Sequence, residues 1–309
     1  MKNIIEVKNL IKHYKNKLAV DNISFDVKSG EIFAFLGLNG AGKSTTINML
    51  CQVLARDSGQ IRIFEKDIDK HSIEIKRNIG IVFQDSVLDK NLDVKFNLKF
   101  KASIYGMNRN QTVERLEFLD SVLDLKDILK RKYNKLSGGQ KRRADIAYGL
   151  MNKPKLLFLD EPTSGLDPIN REKVWNALKT LIKKEDLTIF LTTHYMEEAE
   201  LANHIAILDS GKIIIEGTVN ELISKYSKTV LKIYVPFSEE NTKILEKYFE
   251  SQVEYNNSHY AIKLNDVSKI TNMPEKIKNI AKDFEVIKGN MNDVFLNVSK
   301  GKNHNEKFI

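Results

Sequence analysis

The segment Gly37-Leu38-Asn39-Gly40-Ala41-Gly42-Lys43-Ser44 fits the pattern G-x-x-x-x-G-K-S/T in full. Its glycines let successive backbone N–H groups converge on an anion, and the helix expected from Lys43 onward adds the positive end of its dipole. Lys43 can then reach the β- and γ-phosphates of a nucleotide, and the Ser44 hydroxyl can ligate Mg2+. A second group stands at Leu156-Leu157-Phe158-Leu159-Asp160-Glu161. Its apolar residues make a buried strand whose end delivers two carboxylates to the sheet edge where phosphates lie. Asp160 suits a Mg2+ ion held through water. Glu161 is placed to orient and deprotonate an attacking water. Phosphoryl transfer asks a protein mainly for such positioning and charge stabilisation, so the two segments together predict nucleotide hydrolysis.

Those residues need a sheet to carry them. Residues 4–7 and 23–27 alternate apolar and polar, as half-buried strands do. Residues 32–36 are apolar throughout, as in a strand buried on both faces, and run directly into the glycine loop. Residues 86–150 contain stretches of helical spacing at 112–122 and 140–150 and read as a helical insertion. Strands at 156–159 and 188–191, with a helix over 171–183 between them, argue for a largely parallel sheet covered by helices. A hairpin is expected at 205–208 and 212–216. Beyond about residue 224 the pattern changes to a small α/β domain. Its strands are expected at 229–235 and 260–264, its helices at 239–250 and 274–282, with a last apolar segment at 294–298 and a frayed polar tail from Lys300.

Composition sets the outer limits. The 309 residues are 42% hydrophobic, enough for a proper core. The longest uninterrupted apolar run, from Ile32 to Leu38, is far short of the roughly 20 residues of a bilayer-spanning helix. The first residues lack the apolar stretch of a signal peptide, and the one cysteine, Cys51, agrees with a reducing compartment. A cytoplasmic location is therefore expected. The net charge of +8 comes from scattered lysines and reads as an ordinary solvated surface, with no nucleic-acid partner expected. Trp175 and Cys51 read as core residues.

Leu136-Ser137-Gly138-Gly139-Gln140 lies between the two phosphate-handling segments. A phosphate loop, then L-S-G-G-Q, then an apolar strand ending Asp-Glu, resembles the ABC ATPase family over roughly residues 1–220. The resemblance implies a fold of the α/β class: a P-loop NTPase (RecA-like) core with an antiparallel β subdomain and a helical subdomain at about 86–150. The nucleotide-binding domain would span 1–224, and the small C-terminal α/β domain 225–309. It further implies that Tyr14 stacks on adenine beside Val20, and that residues 37–45, from Gly37 to Thr45, hold the phosphates. Gln84 would touch Mg2+ and the attacking water, and His194 would reach the γ-phosphate. Ser137, Gly138, Gly139 and Gln140 would bind the γ-phosphate held by the opposite subunit, and the loop from Ser164 to Asp167 would cross between subunits. ATP and Mg2+ are the implied ligands. The active unit is then a homodimer or pseudo-symmetric heterodimer. Many relatives carry proline where this chain has Leu38, a position that contributes backbone only.

The stretch from Gly211 to Thr218 and the closing Asn292-Asp293-Val294-Phe295-Leu296 resemble the drug-resistance (daunorubicin-resistance-like) exporter ATPases. That implies a subunit peripheral on the cytoplasmic face of the membrane, paired with a separately encoded permease. The segment from Gln84 to about Gly106 would face that permease. The rival readings are an importer ATPase and a soluble ABC machine of translation or DNA repair. The latter would ordinarily show two modules, a long coiled coil or paired cysteines, which this sequence does not contain.

Overall fold

The computed structural model describes residues 2–264 and 266–305, with side chains through residue 299. The chain divides into two compact units, one ending at Gly217 and one starting at Thr218. The first unit opens with two long strands, β1 (Asn3–Tyr14) and β2 (Lys17–Lys28), then β3 (Ile32–Leu36) and α1 (Lys43–Leu50). Next come β4 (Ser58–Ile63), β5 (Lys66–Asp67), α2 (Ser72–Asn78) and β6 (Ile79–Val82). Three helices follow: α3 (Val94–Ile104), α4 (Arg109–Leu123) and α5 (Gly138–Leu150). The unit closes with β7 (Leu156–Asp160), α6 (Pro168–Glu185), β8 (Thr188–Thr193), α7 (Met196–Ala199), β9 (His204–Asp209) and β10 (Lys212–Gly217).

Two sheets share one core. An antiparallel sheet has the order β2-β1-β4-β5. The larger sheet has the order β10-β9-β3-β8-β7-β6 and is parallel except where β10 turns back on β9. Every residue of β3, β7 and β8 is buried, as central strands covered on both faces require. Between the sheets, Phe25 of β2 meets Phe33 and Phe35 of β3 and Phe190 of β8. Phe33 stacks on Phe190 at 5.5 Å, and Phe25 meets Phe35 edge-on at 4.8 Å. Contacts of this kind add ~1 kcal/mol each beyond the area they bury. Trp175 of α6 and Cys51 are buried, and burial pushes the Cys51 thiol up.

β1 and β2 are much longer than the alternation at 4–7 and 23–27 suggests. The β1–β2 register shifts between Val7 and Leu10, where Asn9 takes a φ of 51°. A bulge of this kind resets which residues face the core, so the period-2 pattern breaks although the pairing continues. The β4-to-β6 stretch has no counterpart in the sequence reading. The helices within 86–150 do appear, each started by a side-chain cap: Asp93, Asn108 and Ser137.

The second unit runs α8 (Val219–Tyr226), β11 (Thr229–Ile233), α9 (Glu239–Phe249), β12 (Val253–Asn256), β13 (His259–Leu264), α10 (Ser268–Thr271), α11 (Glu275–Ile280), β14 (Phe284–Ile287) and α12 (Met291–Asn305). Its antiparallel sheet, β12-β13-β11-β14, packs Leu231, Ile233, Tyr260 and Ile262 against Leu245, Phe249 and Ile277. Because α8 packs on α12, the division falls before α8 and not at residue 224. The apolar segment 294–298 is part of helix α12. The helix backbone continues to Asn305, and the expected fraying of residues 306–309 lies outside the described residues. Among the described residues no helix is long and apolar enough to cross a membrane.

Candidate active site

β3, β8, β7 and β6 are neighbours and parallel, so their carboxyl ends share one sheet edge. β3 delivers the glycine loop to that edge, β7 delivers Asp160 and Glu161, β8 delivers Thr193 and His194, and β6 leads into Gln84. This is the edge at which open α/β sheets present ligand sites.

The loop is held tightly. Gly42 caps α1 at a φ of 107°, and a Cβ there would stand 2.6 Å from the Ala19 carbonyl, so only glycine fits. No side chain caps α1, which leaves its first N–H groups for an external acceptor. Lys43 is buried, and its Nζ donates to the carbonyls of Gly37 (2.8 Å) and Leu38 (3.0 Å). The same Nζ lies 3.9 Å from Glu161 Oε1. Burial lowers the Lys43 pKa, and Glu161 and Asp160 oppose that shift.

Ser44 Oγ donates to Asp160 Oδ1 at 3.1 Å, and the Thr192 hydroxyl donates to the same oxygen. Asp160 is buried. Glu161 takes a φ of 45°, a conformation that costs a non-glycine residue energy, and its N–H is anchored on the Thr192 carbonyl (3.1 Å) and hydroxyl (3.1 Å). His194 Nδ1 lies 3.3 Å from Glu161 Oε1, a close approach without hydrogen-bond geometry, and among the described residues it has no hydrogen-bond partner.

A cleft of about 430 Å3 opens over these groups, lined by Tyr14, Lys43, Ser44, Thr45, Gln84 and Glu161 together with Asn39 and Gly40. Tyr14 stands 47% exposed at the end of β1 and lines the cleft. Val20 does not line the cleft. It is fully buried beneath the loop, where its Cγ2 supports Gly42, and Ala19 and Lys17 take the lining positions. Leu38 is 62% exposed, so its side chain has no packing role in the loop. Ala41 is buried, and its carbonyl accepts from the Gly211 N–H at 3.0 Å.

The oxygens of Ser44 and Asp160, with Gln84 in the same cleft, form a hard-oxygen set suited to Mg2+. The described residues contain no cluster of three His, Cys, Asp or Glu side chains that would hold an ion unaided. An ion at Ser44 and Asp160 would thus share its coordination with phosphates and water, as Mg2+ characteristically does.

The segment from Ser137 to Gln140 is not part of this cleft. It starts α5 with a capping box: Gln140 N–H donates to Ser137 Oγ (3.4 Å), and Ser137 N–H to Gln140 Oε1 (3.0 Å). Among the described residues no acceptor takes the Ser137 hydroxyl proton. Ser137 and Gly138 are exposed, and a Cβ at Gly138 would meet nothing nearer than Leu166 Cδ2 at 3.9 Å. Gly139 is buried, and a Cβ there would strike Asn170 at 2.5 Å. Asn170 in turn donates to Asp167 Oδ2 at 2.6 Å, and its N–H to Asp167 Oδ1, which holds the Asp167 pKa low.

Sequence reasoning passed over two groups. Thr192, buried in β8, braces both carboxylates' strand end; a threonine inside an apolar strand was the available signal. Arg142 belongs to the basic run Lys141-Arg142-Arg143. It is buried, while Arg143 pairs with Asp124 (2.8 Å).

A sequence model described as ABC transporter matches residues 20–164. The chain is 39% identical over 230 residues to a daunorubicin/doxorubicin resistance ATP-binding protein of Streptomyces peucetius, covering 74% of this chain and 69% of that protein. It is 38% identical over 219 residues to a probable multidrug ABC transporter ATP-binding protein of Escherichia coli, covering 71% of this chain but only 38% of that longer protein. Among solved structures, a dimeric post-hydrolysis ATP-binding cassette bound to ADP and Pi matches with a TM-score of 0.64 and 28% identity. That match covers 69% of this chain and 98% of the cassette.

Proposed function

The chain belongs to the ABC transporter family of ATP-binding proteins, and we propose that it hydrolyses ATP in a head-to-tail pair that drives a separate membrane permease, as an exporter. One observation carries the pairing: the exposed start of α5, with a free hydroxyl proton and an unobstructed Gly138, lies outside the cleft that holds Lys43. A helix N-terminus whose first two residues, Ser137 and Gly138, are exposed suits a phosphate brought by a second subunit.

In this scheme Tyr14 stacks on the adenine, and the N–H groups of residues 39–45 take the phosphates. Lys43 exchanges the carbonyls of Gly37 and Leu38 for phosphate oxygens. Ser44 and Asp160, with Gln84, would hold Mg2+, which when bound would neutralise phosphate charge. Glu161 takes the proton of the attacking water, and His194 beside it reaches the γ-phosphate. Ser137, Gly138, Gly139 and Gln140 of one chain close on the γ-phosphate held by the other, with Asp167 at the crossing loop. Phe96, Phe100 and Ile104, spaced by four on α3, are each more than half exposed. That apolar stripe supports a docked partner helix there, at the cytoplasmic face of a membrane. The drug-resistance name of one relative, the multidrug name of another and the segment from Asn292 to Leu296 at the start of α12 favour export.

The test is a Glu161→Gln chain with saturating ATP and Mg2+. It is expected to accumulate as an ATP-bound dimer by size exclusion with light scattering. A protein that stays monomeric under those conditions would overturn the pairing.

A further inference from the structure

Arg142 lies one turn along α5 from Ser137, and its guanidinium is buried among backbone carbonyls. Nη2 donates to the carbonyls of Asp160 (3.0 Å) and Glu161 (3.1 Å), Nε to that of Pro162, and Nη1 to that of Phe83 (2.8 Å). One side chain thus ties α5 to the end of β7 and to the residue before Gln84. Burial lowers the Arg142 pKa, and the nearby Asp145 carboxylate opposes that. Asp145, one turn further on, accepts from Ser86 Oγ (2.5 Å) and Tyr133 OH (3.0 Å). Arg142 therefore grips one side of Gln84, at Phe83, and Asp145 grips the other, at Ser86. A buried guanidinium that bonds only carbonyls is expensive to desolvate, and its return is a fixed geometry. Its planar fork can reach four carbonyls at once, whereas the three donors of a lysine ammonium cannot.

We propose that Arg142 and Asp145 are positioning residues that couple the two ATP sites. The helix whose first residues meet the partner's nucleotide is the helix that holds Glu161 and Gln84 of its own cleft. A shift of α5 on engaging one phosphate is then delivered as alignment of the water-handling residues at the other. This rests on the head-to-tail reading above.

The experiment uses the full chain and Arg142→Lys, with Tyr133→Phe as a milder variant that removes one hydroxyl and keeps the ring. ATP affinity, ATP-driven dimerisation in the Glu161→Gln background, and the dependence of hydrolysis on ATP concentration are measured. Arg142→Lys should leave affinity and dimerisation within twofold but lower kcat about 100-fold, the size of a displaced catalytic group. The Hill coefficient should fall from about 2 toward 1, two being the number of coupled sites. If Arg142→Lys does not fold, Tyr133→Phe should still lower the Hill coefficient at unchanged affinity. Retention of kcat and of the Hill coefficient in the folded variants would overturn the coupling. So would a loss of ATP affinity in step with kcat, which would mark Arg142 as a support of the cleft alone. A parent chain that never dimerises would instead fail the pairing itself, and this coupling with it.

Discussion

The phosphate loop and the start of α5 are both glycine-bearing helix N-termini, and they differ in what stands across from them. The loop faces its own chain: Lys43 is buried, Ser44 is bonded to Asp160, and Gly42 is pressed against Ala19. The start of α5 faces solvent at Ser137 and Gly138, although its second glycine, Gly139, is pinned beneath Asn170. In the proposed pairing, a helix end that caps itself and still leaves Ser137 and Gly138 outward supplies one half of a site, and the loop of a second chain supplies the other.

The comparison breaks most visibly at the water-handling carboxylate. Glu161→Gln removes the base without changing its size, and hydrolysis should fall by about 10² to 10⁴-fold with ATP affinity retained. Single-turnover phosphate release against equilibrium nucleotide binding measures the split; an equal loss of both would place Glu161 outside the chemistry. Next in size is Gly138→Asp. A carboxylate in the first turn is favourable for α5 itself, so the fold should keep its stability. It would repel an incoming phosphate, and turnover should drop about 100-fold. Mixing this variant with Lys43→Ala separates the two halves. A mixed pair keeps one composite site with both parts intact, so activity should reappear on mixing. Two inactive proteins that stay inactive after co-refolding would show that the two elements act within one chain.

Lys43→Ala alone should weaken ATP binding by about 10- to 100-fold, the worth of one or two charge-assisted hydrogen bonds lost from phosphate. Calorimetric titration measures it. Removal of Mg2+ by a chelator should then cost the variant more affinity than the parent chain, because the cation and Lys43 neutralise the same phosphate oxygens and are partly redundant. Equal losses would separate the two sites.

The parts of this comparison differ in how openly the sequence displays them. The loop and the β7 end are contiguous motifs, and the capping box of α5 is visible as Ser137 followed three residues later by Gln140. The edge that gathers Lys43, Asp160, Glu161 and His194 follows from parallel strand order, which strand–helix alternation suggests. What stayed hidden depends on long-range packing. Asn9, at a φ of 51°, interrupts β1 and disguises two long strands as short ones. Val20 reads as a cleft residue but lies under the loop, because β2 turns that side chain inward. Arg142 carries a charge that argues for the surface, and only the convergence of four carbonyls explains its burial. Where α8 belongs is likewise set by its packing on α12, not by any break in composition.

The smallest effect distinguishes the two adjacent glycines of α5. At Gly139 a methyl group would stand 2.5 Å from Asn170 Cγ and Oδ1, so Asn170 must move and release Asp167 Oδ2. Overpacking of this kind costs roughly 1–3 kcal/mol. A unit of this size would lose roughly 2–4 °C in melting temperature per kcal/mol. Gly138→Ala meets only Leu166 Cδ2 at 3.9 Å and replaces a poor helix former with the best one, so its melting temperature should stay or rise slightly. Asn170→Ala should relieve the Gly139→Ala penalty and leave Gly138→Ala unchanged. Thermal unfolding of the four variants measures this. Equal destabilisation at both positions would mean that Gly138 is held by its own chain, and the outward half of the site would lose its basis. A penalty confined to Gly139 leaves Gly138 with no structural reason inside the chain to be glycine, which is the expected mark of a surface that a second subunit's nucleotide approaches.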